Sequence, residues 1–94
     1  MAYDIGWDLQ AERELGRMEA RDPQLAKKVF EEVTRELSSS PSAVSKRRRR
    51  IVHVIRGLGV AWRLACECGP SVVYAVSEAE RRVEILGIVE HGKR

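Results

Sequence analysis

The sharpest pattern in the chain lies in its last third. Three apolar segments, Val60 to Cys66, Val72 to Val76 and Val83 to Val89, are rich in β-branched and aromatic residues and are separated by the turn-like stretches CGP and SEAER. Such spacing predicts consecutive strands joined by tight connections, hence an antiparallel meander. In the first segment Val60, Trp62, Leu64 and Cys66 alternate with Ala61, Arg63, Ala65 and Glu67. A strand here points an arginine and a glutamate away from its large apolar side chains. That second face is the candidate working surface.

Upstream, the period changes. Tyr3 to Trp7 alternates and predicts one extra strand for the sheet. Asp8 is suited to cap a helix in which Leu9, Ala11, Leu15 and Met18 keep helical spacing to about Ala20, with Gly16 as an interruption. Asp22-Pro23 is a second start signal, because proline at the first helical position gives up an N–H that has no partner there anyway. Leu25, Ala26, Val29, Phe30, Val33 and Leu37 then form one apolar stripe, with Lys27, Lys28, Glu31, Glu32, Arg35 and Glu36 on the solvated side. The Ser-Pro stretch from Ser38 to Ser42 ends this helix and predicts an exposed loop through Arg50, followed by a strand over Ile51 to Ile55 and a turn at Arg56 to Gly59. The expected class is α+β: a small antiparallel sheet in β-α-α-β-β-β order plus the extra strand, with a helical hairpin packed on one face.

Composition narrows the function classes. The 94 residues suit a single domain over 1–94 that buries roughly 60 to 65% of its unfolded surface. No apolar run approaches a membrane span, and the N-terminus lacks a basic region followed by an apolar stretch, so a cytoplasmic protein without a membrane partner is expected. The net charge of +3 is modest. Its distribution is uneven, since Lys46, Arg47, Arg48, Arg49, Arg50, Arg56 and Arg63 fall in a stretch without a single acid. A field of this kind suits phosphate or an acidic partner. Cys66 and Cys68 are expected as reduced thiols, and with His53 and His91 they match no zinc-module spacing, so no metal and no cofactor is expected. Five aromatics, none in an RNP-like pattern, speak against a plain RNA-binding module.

The joint order of the elements, together with Gly59-Val60-Ala61-Trp62-Arg63-Leu64, Val72-Val73-Tyr74 and Ile88-Val89-Glu90-His91-Gly92-Lys93-Arg94, resembles the RelE/ParE superfamily of bacterial toxins from type II toxin–antitoxin modules. The resemblance implies a cognate antitoxin that wraps the helical hairpin and the basic sheet face. RelE-like members cut messenger RNA in the ribosomal A site by activating a 2′-hydroxyl against its own phosphate. ParE-like members poison DNA gyrase and have no known catalytic site. Ribosome and mRNA are thus the expected partners, with gyrase as the alternative and a degenerate, purely protein-binding member as another. By the same resemblance Arg63 and Arg94 match basic positions of the nuclease site, and Glu67 with His91 matches the glutamate–histidine pair of some relatives. Lys46, Arg47, Arg48, Arg49, Arg50, Arg56 and Lys93 are the nucleic-acid-contacting candidates. Where nuclease members carry two further basic residues, this chain has Ala65 and Ser71.

Overall fold

Two aspartates start the two helices. Asp8 accepts the Gln10 N–H at 3.3 Å and opens α1 (Leu9–Arg21), and Asp22 accepts the Leu25 N–H at 3.2 Å and opens α2 (Pro23–Leu37). Asp22 also closes α1, donating its own N–H to the Met18 carbonyl at 2.6 Å. One residue therefore joins the helices, and the hairpin they form is tight. Gly16 stays helical and exposed, since helix propensity at one site costs only about 1 kcal/mol.

Five strands follow the expected order: β1 (Asp4–Trp7), β2 (Arg48–Ile55), β3 (Gly59–Ala65), β4 (Ser71–Ser77) and β5 (Arg82–Val89). The computed structural model describes residues 3–38, 48–55 and 59–90, with the backbone alone for 48–55 and 59–60. The sheet order is β1-β5-β4-β3-β2. From β2 to β5 every pairing is antiparallel, as the meander pattern requires. β1 adds to β5 in parallel, so the sheet is mixed. Among the described residues, no strand continues β1 along β5 beyond Trp7, and Glu14 of α1 reaches over to accept the Ile88 N–H at 2.7 Å. A bulge between Val73 and Tyr74 shifts the β4–β5 register, and both Ile85 and Ile88 are buried.

One expectation needs correction. Arg48, Arg49 and Arg50 belong to β2 and not to the loop before it. Ladder hydrogen bonds are made by the backbone, and an edge strand tolerates charged side chains because one of its sides has no neighbouring strand. An arginine run is therefore compatible with this strand.

The core lies between the helical hairpin and one sheet face. Met18 from α1 and Val29, Val33 and Leu37 from α2 meet Trp62, Leu64, Val72, Tyr74, Val83 and Ile85, all buried. Trp62 and Tyr74 are direct cross-strand partners with stacked rings 6.4 Å apart. Leu9 and Phe30, counted in the helical stripes, are 60% and 47% exposed. Phe30 sits at the margin of its stripe and stacks on Trp7 at 5.9 Å.

Candidate functional site

The alternation on β3 is realised. Trp62, Leu64 and Cys66 are buried against the helices, while half-buried Arg63 and exposed Ala65 and Glu67 take the other face. Arg63 is thus on the side of the sheet away from the helical layer. The β2–β3 register then sets Arg49 directly opposite Arg63, with Arg48 opposite Leu64 and Arg50 opposite Trp62. Directly opposed residues of an antiparallel pair have Cβ atoms about 5 Å apart. Two arginine positions are thereby set side by side on the β2–β3 ladder, a pairing hidden from the sequence because the expected strand began only at Ile51.

Glu67 sits at the tip of the β3–β4 hairpin. Its turn is closed by the Gly69 N–H donating to the Cys66 carbonyl at 3.1 Å and the Cys66 N–H donating to the Pro70 carbonyl at 2.9 Å. Gly69 takes φ +125°, a conformation that residues with a Cβ rarely adopt. The Glu67 side chain is exposed, and its amide N–H donates to both carboxylate oxygens of Glu32, at 2.9 and 3.1 Å. Glu32 is accordingly not on the solvated side of α2. It is 5% exposed, lying one turn after Val29 and two turns after Leu25 on the buried side. Its Oε1 is 3.8 Å from the Cys68 sulfur. Burial first, and then the Glu32 charge, push the Cys68 thiol above its ordinary range.

Ser71 partners both Ala65 and Val89, so the hairpin tip and the end of β5 that leads toward His91 share one end of the sheet. Just before that point Glu90 takes a two-pronged ion pair from Arg21 at 2.6 and 2.7 Å, which holds the C-terminus of α1 to the end of β5. This bond raises the affinity of the Arg21 guanidinium for its proton. His91, Lys93 and Arg94, like Lys46, Arg47 and Arg56, lie outside the described residues, and Arg48, Arg49 and Arg50 are described by backbone alone. Of the two departures from the nuclease pattern, Ala65 is exposed on the working face, whereas Ser71 is 1% exposed. On the helical side, Trp7, Leu15, Gly16 and Phe30 line an open apolar groove between α1 and α2, flanked by Glu12 and Glu19.

No protein-family model matches this sequence, and no curated protein sequence does. Solved structures do. A chain of the toxin–antitoxin complex RelBE2 from Mycobacterium tuberculosis is similar with a TM-score of 0.73 and 17% identity, over 97% of this chain and 100% of that one. The archaeal RelE–RelB complex from Pyrococcus horikoshii gives 0.72 and 19% over the whole of both chains. A YoeB/ParE toxin from Agrobacterium tumefaciens gives 0.66 and 18% over 95% of this chain and 99% of that one. The chain has the fold of RelE-type toxins. The RelE-type likeness covers both helices and the sheet from end to end, including the strand that carries Arg63. Among the described residues, no helix is long and apolar enough to cross a membrane.

Proposed function

We propose that this chain is the toxin of a type II toxin–antitoxin module and cleaves messenger RNA on the ribosome. One observation carries the reading: Arg63 faces away from the helical layer with Arg49 as its direct partner across the β2–β3 ladder. In this cleavage a 2′-oxygen bonds to the adjacent phosphorus while the bond to the 5′-oxygen breaks. A base takes the 2′-hydroxyl proton, and an acid returns one to the leaving oxygen. Negative charge grows on the phosphoryl oxygens, and guanidinium groups at Arg63 and Arg49 are suited to stabilise it. Glu67 and His91 are the candidates for the proton transfers, with Arg94 and the remaining basic residues steering the message. The cognate antitoxin is a protein, and the exposed Phe30 and Leu9 with the groove beside Trp7 offer it an apolar seat on the hairpin.

A second reading rests on Ser71. At a position where nuclease members carry arginine, this serine is 1% exposed and out of reach of a substrate. That favours a binder without catalysis, acting on gyrase or on another protein. Purified protein added to translating ribosomes with a defined message decides between them. Cleavage that weakens sharply in Arg63→Ala supports the nuclease; intact message at high protein concentration removes it. A normal supercoiling rate with excess protein removes gyrase as the target.

A further inference from the structure

The two thiols of the Cys-Glu-Cys turn have no part in the toxin reading. We propose that Glu32, Cys66 and Cys68 together bind a thiophilic divalent cation, with Zn2+ as the best match. One carboxylate oxygen of Glu32 and the sulfurs of Cys66 and Cys68 all lie within 4.8 Å of one another. Tetrahedral zinc with bonds of about 2.3 Å to sulfur and about 2.0 Å to oxygen requires ligand separations of roughly 3.5 to 3.8 Å. The Cys68 sulfur and Glu32 Oε1 already stand at 3.8 Å. Closing the rest of the triangle takes shifts within the reach of side-chain rotation.

Three features make this more than a cluster of polar groups. The ligands come from two elements, α2 and the β3–β4 turn, so a cation would tie the helical layer to the sheet. The carboxylate is oriented from outside, because the Glu67 N–H donates to both its oxygens, Oε2 at 2.9 Å and Oε1 at 3.1 Å; such outer partners fix the plane of a ligand. The site also has a way in. Cys66 and Glu32 are buried, while Cys68 is half-buried and its neighbours Glu67 and Gly69 are exposed, leaving the solvent side for a water as fourth ligand. The spacing of cysteines and histidines along the sequence gave no hint of this, because the third ligand is a glutamate on a different element.

Binding replaces two thiol protons by one cation, releasing two protons and turning three acidic groups into ligands of a double positive charge. Affinity therefore rises with pH. The proposal does not depend on the toxin reading, and its test contains no nuclease assay.

The test uses the full-length chain without a histidine tag, reduced and stripped with a chelator, then titrated with Co2+ and back-titrated with Zn2+. We expect one Co2+ per chain, a thiolate-to-cobalt charge-transfer band with tetrahedral visible bands, and their loss as Zn2+ displaces the cobalt. Cys66→Ser and Cys68→Ser abolish the charge-transfer band, and Glu32→Gln weakens Zn2+ binding on the order of tenfold or more. Far-ultraviolet circular dichroism of each metal-free variant confirms that it is folded. Absence of the band in the folded wild-type chain overturns the site. So does a band that survives in both cysteine variants, or a Zn2+ affinity that Glu32→Gln leaves intact.

Discussion

Replacing Glu32 by alanine, in chelator and reductant so that no metal contributes, tests the contact that joins α2 to the hairpin tip. The change removes the acceptor of the Glu67 N–H, now held at 2.9 and 3.1 Å by a single carboxylate. Hydrogen bonds to charged groups contribute about 1.5 to 3 kcal/mol. This one is part-buried, and the exposed Glu67 lets water reach the orphaned amide, so the lower half of that range applies. Losing a buried methylene adds about 0.8 kcal/mol. Two terms oppose the loss: alanine is the better helix former by a few tenths of a kcal/mol, and the desolvation cost of a carboxylate disappears. The net expectation is a destabilisation of about 1 to 2 kcal/mol. With a urea dependence of about 1 kcal/mol per molar for a domain of this size, the midpoint falls by roughly 1 to 2 M. Glu32→Gln keeps the stem and a carbonyl acceptor, so it lies between the two. An alanine variant as stable as the wild type, or more stable, refutes the reasoning, because the carboxylate's desolvation would then outweigh the bond.

Further expectations follow from other parts of the molecule. Leu64→Ala removes a fully buried core side chain and should cost about 2 to 5 kcal/mol in a denaturation experiment, a large share of the stability of a domain this small. Gly16→Ala meets nothing within 4 Å of the added carbon, and should raise stability by about 0.5 to 1 kcal/mol while leaving circular dichroism unchanged. On the nuclease reading, Arg49→Gln at the position paired with Arg63 should weaken message cleavage in the ribosome assay. The Tyr3 hydroxyl donates to Glu78 at 2.6 Å, which raises its pKa above the ordinary 10.0. The bond needs the protonated phenol. Its contribution is therefore complete below the unfolded pKa and lost as pH rises through the higher folded one. The stability gap between wild type and Tyr3→Phe should be flat from pH 7 to about 9 and shrink above pH 10; a gap that widens there contradicts the assignment.

What could be read from the sequence was what local periodicity controls. Alternation on β3 depends only on the pleat, and it separates Arg63 from Trp62 and Leu64 whatever the neighbouring strands do. The caps at Asp8 and Asp22 depend on the next three residues and were equally legible. Pairing information was not available in that way. That Arg48, Arg49 and Arg50 join a ladder follows from the backbone of β3 beside them, and hydrophobic pattern carries no record of it. Glu32 was assigned to the solvated side by its charge, and its real partner, the Glu67 amide, lies 35 residues away at a turn whose path is set by Gly69. The parallel addition of β1 is likewise a matter of topology, because a four-residue strand offers no signal of the direction in which it will pair.

The arrangement also explains how the sheet face away from the helices can carry Arg63. The helices cover the Trp62 and Leu64 side of the sheet; on the other side Ala61, Ser71 and Ala75 are buried while Arg63 is half-buried and Ala65 exposed, so the Arg63 head group avoids the full cost of burial. At the β2 edge the same charges serve a second end. An exposed ladder of unpaired N–H and C=O groups invites another strand, and arginines along it discourage that pairing through mutual repulsion. On the proposed function, the Arg49 and Arg63 positions that meet the message lie in the part of the sheet farthest from β1.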